Sequence, residues 1–215
     1  MPRPNQSADK RRELIPIVAA AFAELGYRRS TTAELARRCG VRENVLYRLW
    51  PSKRDMFIAS IAFVFENAAG LWQGIAGERA DESEDRRAGA SNGRRKGEST
   101  AEKILAFETR HHGEHGRYRV VFAGLNETHD DEIRAALSKM YKDFAAFLER
   151  QIREHRRAHN LPDQPAAELA AWALIGLGTV SDVLRELRLV SESTRRRMFE
   201  DVGRALLQGT TKNDA

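Results

Sequence analysis

Between Thr31 and Lys53 the chain reads TTAELARRCGVRENVLYRLWPSK, and the glycine at its centre constrains the backbone on both sides. Thr31 is placed to cap a helix, and Glu34, three residues on, is spaced to reach back to the Thr31 amide as in a capping box. Leu35, Ala36 and Cys39 then fall on one side at helical spacing. Gly40 ends that helix, because glycine takes the left-handed conformation of a sharp turn without steric cost. Val41 follows, apolar and placed to pack between two helices. A second helix runs from about Arg42 to Leu49 with Val45, Leu46 and Leu49 as its inner side. Its remaining positions, Arg42, Glu43, Asn44, Tyr47 and Arg48, carry groups that meet phosphates and base edges. Pro51 stops this helix, and Ser52 with Asp55 caps the next. The pattern is a helix-turn-helix whose second helix enters a DNA major groove.

The flanks extend the pattern. A first helix over about Lys10 to Leu25 places Leu14, Ile17, Val18, Ala21, Phe22 and Leu25 on one face. Pro16 interrupts it and predicts a kink, or a regular part that begins near Leu14. Gly26 closes this helix. Phe22, Gly26-Tyr27, Thr31-Thr32, Leu35-Ala36, Gly40-Val41, Leu46-Tyr47 and Ser52-Lys53 together resemble the DNA-binding domain of the tetracycline-repressor (TetR) family of bacterial transcription regulators. About ten positions agree at fixed spacing across Arg11 to Ile61, the first quarter of the chain.

The resemblance implies an all-α fold: an N-terminal three-helix helix-turn-helix domain followed by a C-terminal helical ligand-binding and dimerisation bundle. It implies phosphate contacts at Thr32, Tyr47 and Lys53, and base contacts at Ala33, Arg42, Glu43, Asn44 and Arg48. Thr32 lies at a helix start, which favours an anion, while Tyr47 and Lys53 supply a hydroxyl donor and a cation. Arg42 or Arg48 suits a guanine and Asn44 an adenine. Val45 stands where many relatives have threonine, and Trp50 replaces the more usual phenylalanine. Glu43 is an anion among phosphates, placed either to read a cytosine or to orient Arg42.

Charge is concentrated on this head. Residues 1–58 hold 12 Lys and Arg against 6 Asp and Glu, a net of +6, and the other 157 residues net −1. That asymmetry fits a nucleic-acid partner. No stretch approaches the roughly 20 apolar residues of a bilayer span, so no membrane partner is expected. The first twelve residues lack an apolar signal core. The single cysteine, Cys39, rules out an intramolecular disulfide framework, suits the cytoplasm and reads as a small core residue rather than a redox sensor.

The sequence predicts a flexible arm over 1–8, with Arg3, Lys10, Arg11 and Arg12 able to touch DNA, a DNA-binding domain over 9–58, and an effector-binding and dimerisation domain over 59–212. A helix over about 52–75 is apolar on nearly all sides. Residues 77–100, with a basic patch at Arg94 to Lys96, contain no aliphatic larger than alanine and read as a mobile loop. Further helices are expected over 100–112, 118–125, 131–159, 166–189 and 193–207, with a homodimer through 166–207. The resemblance places a small-molecule effector among these helices, and the expected lining is Phe107, His111, Phe122, Met140, Phe144 and Trp172. An alternative reading is a metal-binding helical protein or enzyme using Glu108, His111 and His115. Glycines 113 and 116 break the helix that would hold that geometry. No catalytic constellation, metal set or cofactor motif is otherwise evident, so neither metal nor cofactor is expected.

Overall fold

The computed structural model describes residues 6–87 and 98–210, with side chains described over 7–75 and 98–210. Among the described residues it is all-α: α1 (Gln6–Arg29), α2 (Thr32–Arg38), α3 (Glu43–Leu49), α4 (Lys53–Arg87), α5 (Thr100–His111), α6 (Tyr118–Leu125), α7 (Asp131–His159), α8 (Ala167–Glu186) and α9 (Glu192–Gln208).

Several local expectations are corrected. Gly26 interrupts α1 with φ 75° and ψ 167°, as expected of a helix-closing glycine, but Pro16 lies inside the helix without a break. Pro16 is exposed, so solvent can meet the carbonyl its missing N–H leaves behind. Helix α1 begins at Gln6, so the expected arm is helical from that residue; positions 1–5, Arg3 among them, lie outside the described residues. Part of the expected 77–100 loop is also helix, because α4 continues to Arg87. Alanine, glutamate and arginine are good helix formers even where nothing apolar needs covering. Residues 88–97, including the basic patch at 94–96, lie outside the described residues.

The chain compacts as two units that do not follow a single cut near residue 58: residues up to Asn67 with His115–Lys142, and Ala68–Glu114 with the residues from Asp143 onward. The first unit gains α6 and the start of α7 because they pack with the N-terminal helices. Arg28 Nε donates to Glu127 Oε1 at 2.8 Å, and Arg54 reaches Asp130 at 3.4 Å and Glu132 at 2.8 Å. Glu127 is buried, which makes its pairing with Arg28 obligatory. The core of this unit holds Leu14, Val18, Phe22, Leu35, Leu46, Phe57, Ile61, Val120 and Ile133. Phe22 meets Phe57 edge-on at 4.9 Å. Burying each such side chain stabilises by about 1.5–3 kcal/mol.

In the second unit, Trp72 lies 5.0 Å from Phe147 and 5.6 Å from Phe144. A separate cluster joins Ala101, Ile152, Ala167, Ala170, Ala171 and Leu207. Arg156 is buried between α7 and the C-terminal end of α9, donating to Asp163, Pro165 O, Leu206 O and Leu207 O.

Two helical stretches, Lys53–Ile75 and Ala167–Glu186, are long and apolar enough to cross a membrane by length and composition, with mean hydropathies of 1.2 and 1.4. This corrects the expectation that no stretch reaches that length. Part of that apolar surface is used for packing: Met56, Phe57, Ile61 and Trp72 on the first and Ala170, Ala171 and Leu177 on the second are buried.

Candidate nucleic-acid interface

The helix-turn-helix is built by local chemistry. Thr31 Oγ1 accepts from the Glu34 amide at 3.2 Å, but the return half of the expected capping box is absent. Glu34 instead takes Arg37 at 2.7 and 2.8 Å and Arg38 at 2.7 Å, because two guanidinium groups compete with one amide for its carboxylate. These bonds hold the Glu34 carboxyl down at about 2. Gly40, at φ 64°, makes the reversal. Leu46, Leu49 and Trp50 are buried and fix α3 against the unit. Arg11 Nε donates to Leu49 O at 2.8 Å and closes the C-terminal end of α3. Ser52 caps α4 through the Asp55 amide at 3.1 Å.

With that side buried, Arg42, Glu43, Asn44, Tyr47 and Arg48 are all exposed, as is Ala33 on α2. Two of the three residues expected at phosphates, Thr32 and Tyr47, are neighbours. Tyr47 Oη donates to Thr32 Oγ1 at 3.2 Å, and Thr32 Oγ1 donates to Glu43 Oε2 at 2.6 Å. Lys53 Nζ donates to Tyr27 O at 3.1 Å and lies 4.4 Å over the Tyr27 ring, which leaves two of its three N–H donors for other partners.

Between Lys10 and Arg54, most cations are already engaged. Lys10 pairs with Glu13, Arg12 with Asp9, Arg28 with Glu127, Arg37 and Arg38 with Glu34, and Arg54 with Asp130 and Glu132. Arg11 and Arg29 donate to backbone carbonyls. Arg42, the exposed N-cap of α3, and Arg48, on the exposed side of that helix, have no hydrogen-bond or ion-pair partner among the described residues. Asn44 likewise has none there. Cys39 is the C-cap of α2, and burial pushes its thiol up, away from the reactive thiolate.

The expected effector lining does not fall within a single unit. Phe122 and Met140 belong to the first unit, and Phe107, His111, Phe144 and Trp172 to the second. Within the second, Phe107 lies against His111 at 4.8 Å, Phe144 packs on Trp72, and Trp172 is 42 % exposed. The cavities there are lined differently. One of about 390 Å³ is bordered by Glu102, Leu105, Thr109, His155, Arg204 and Leu207. A smaller one of about 120 Å³ is bordered by Arg110, His112, Ser181, Arg185, Arg195 and Phe199.

Nor are Glu108, His111 and His115 brought together. His111 bonds Glu114 at 3.0 Å, His115 falls in the other unit, and Glu108 serves His112 at 2.9 Å and the Trp72 indole N–H at 2.8 Å. The helix that would have aligned the three ends at His111, with Gly113 at φ 72°. Among the described residues, the group close enough to hold a metal ion is instead Glu102, His155 and His159. The spacing of His155 and His159, four apart on one helix face, was the sequence signal for it.

His112 itself is the centre of a buried charge network. Its Nε2 lies 3.1 Å from Gly178 O and 3.4 Å from Asp182 Oδ2, and Phe199 covers the ring at 4.7 Å. Burial pulls the imidazole down, but hydrogen bonds and charge from Asp182 and Glu108 outweigh it and push its pKa up to about 10. Gly178 is needed for this approach: a Cβ there would stand 3.0 Å from His112 Cε1. Asp182 Oδ1 and Arg185 Nε are buried without a hydrogen-bond partner among the described residues.

Residues 18–60 match the family model described as bacterial regulatory proteins, tetR family. The chain is 38 % identical over 77 residues to the nucleoid occlusion factor SlmA of Marinobacter nauticus, an alignment over 36 % of this chain and 40 % of that protein. The chain thus spans less than half the length of that curated relative. Its fold is that of a TetR-family transcriptional regulator from Cytophaga hutchinsonii, with a TM-score of 0.71 at 14 % identity over 97 % of this chain and 98 % of the other. It is also that of the transcriptional regulator FadR of Bacillus subtilis, solved in complex with stearoyl-CoA, with a TM-score of 0.63 at 16 % identity over 93 % and 99 %.

Proposed function

We propose that the chain, whose residues 18–60 match the model of the tetR family of bacterial regulatory proteins, is a member of that family: a cytoplasmic, ligand-responsive transcription regulator, a homodimeric repressor that reads a near-palindromic operator with α3. One observation carries the reading. Arg42, the N-cap of α3, and Arg48 are unpaired among the described residues and exposed, and Arg48 shares its helix face with Asn44, while Leu46 and Leu49 on the opposite side are buried. Unpaired cations at the start and on the outer side of a short, firmly seated helix can donate to phosphates and base edges without first breaking internal bonds. Thr32, Tyr47 and Lys53 supply the phosphate contacts in this reading, and Ala33, Arg42, Glu43, Asn44 and Arg48 the base contacts.

The dimer is supported by α8. Leu169, Trp172, Ala173, Gly176, Val180 and Val183 recur at helical spacing and are all exposed, with Leu187 beyond the helix end and Val202 on α9 also exposed. A stripe of this kind is an interface pattern, and the small residues at its middle allow close approach of a second copy. A small-molecule effector is supported by the cavity of about 390 Å³ and by the similarity to a regulator solved with stearoyl-CoA. Such an effector acts only through a difference in affinity between DNA-competent and incompetent dimers.

Selection of bound fragments from random duplex DNA tests the reading. The expected product is an inverted repeat with half-sites about one helical turn apart or slightly more. Recovery of unselected sequence contradicts it.

A further inference from the structure

We propose that Glu102, His155 and His159 form a binding site for a divalent transition metal of the zinc class, beside the cavity of about 390 Å³ in the second unit. One ligand atom from each of the three lies within 4.8 Å of the others. Glu102 comes from the first turn of α5, and the two histidines from the last turns of α7, four residues apart and therefore on one helix face. Ligands at about 2.0–2.1 Å from a tetrahedral ion sit roughly 3.4 Å apart, so a small closing movement completes the set. Glu102 and His159 are only partly buried and can make it, while His155, 3 % exposed, is the fixed member.

The surrounding hydrogen bonds prepare the donors. His159 Nδ1 lies 2.9 Å from His155 O. A carbonyl can only accept, so Nδ1 carries the proton and Nε2 presents its lone pair. His155 Nδ1 is held 2.8 Å from Ser99 Oγ, which orients the buried ring. One oxygen of Glu102 accepts the Ser99 amide at 2.7 Å in a complete capping box, and this fixes the carboxylate while leaving its second oxygen. Outer partners of this kind are what set tautomer and ring direction at metal sites.

The donor set selects the ion. Two imidazoles and a carboxylate suit zinc and its neighbours, whereas magnesium and calcium prefer all-oxygen sites. Three protein ligands leave a fourth position open. Glu102 and His155 both border the cavity, so the open position has room for water or an anionic group of a small molecule. The bound ion would tie the start of α5 to the end of α7.

The test uses the full chain, stripped with chelator, exchanged into chelator-free buffer and titrated with zinc against a chromophoric competitor, with cobalt absorption as a second readout. The expected result is one equivalent per chain and a cobalt d–d band. Glu102→Gln, which keeps the capping bond, and His159→Ala should each weaken zinc binding by at least about tenfold to a hundredfold. His111→Ala with His115→Ala should leave it unchanged. If His155→Ala does not fold, the two partly exposed positions carry the result. Substoichiometric zinc, equal affinity in His159→Ala and the parent, or loss of binding on removing His111 and His115 overturns the proposal. The readout is taken on the free protein, so its failure leaves the DNA reading standing, and failure of DNA binding leaves this site standing.

Discussion

Thr32 donates its hydroxyl proton to Glu43 at 2.6 Å, so a residue expected at a phosphate and one expected at a base edge hold each other in the free protein. Tyr47 joins them by donating to Thr32 Oγ1. Glu43 therefore orders two hydroxyls, and in the proposed reading, where those hydroxyls meet phosphates, it also places an anion among them. Glu43→Gln retains an acceptor for Thr32 and removes the charge. An exposed like-charge interaction of about 1 kcal/mol corresponds to a factor of about five. DNA binding by Glu43→Gln should tighten by about that factor at low salt, measured by fluorescence anisotropy; a weaker complex on every sequence would contradict a repulsive role.

Lys53 is held at the Tyr27 carbonyl and ring, which positions its ammonium at the start of α4. As a phosphate contact, Lys53→Ala should weaken all sequences about equally and reduce the slope of log affinity against log salt by about one. A loss confined to particular sequences would count against that role.

His112 makes stability depend on pH. Its folded pKa, about 10, lies above the ordinary 6.5, so its contribution is fully present below about pH 6.5 and is lost as pH rises through about 10. The melting temperature should fall from pH 7 to pH 10. His112→Gln should flatten that fall. At neutral pH the same change leaves Glu108 and Asp182 without their cation, at a cost of about 3–5 kcal/mol. Parallel melting profiles for the two proteins across this range would remove His112 from the account.

Val180 lies at 50 % exposure in the apolar stripe of α8. Val180→Glu adds a charge to a surface that gains nothing from burial in the monomer. It should leave the helical signal intact and convert dimers to monomers in sedimentation velocity. An unchanged dimer would place the interface elsewhere.

The legible parts of the chain are those governed by neighbours in sequence. Thr31, Gly40 and Pro51 punctuate α2 and α3 through caps, a positive φ and a missing N–H, and each acts within a few residues. Tyr118–Leu125 and Asp131–His159 were equally readable, because their apolar spacing is continuous. The run from Gly77 to Arg87 is helix where its composition suggests a loop, because lack of apolar residues says nothing against helix when the residues are good helix formers. The partner of Glu108 was unreadable for another reason: His112 rather than His111 meets it, and only the close approach of Gly178 on α8 makes room for that ring. The pairing of His155 and His159 was present as spacing, but Glu102 lies 53 residues before His155 and only the packing of α5 on α7 brings it near.

The role of α3 as the reading element is tested most directly by anisotropy titrations of Asn44→Ala and the parent chain on a selected operator and its single-base variants. The expected result is a loss of about 1–3 kcal/mol that disappears when one base position in each half-site is changed. Identical base preferences in the two proteins would show that the outer side of α3 does not read DNA.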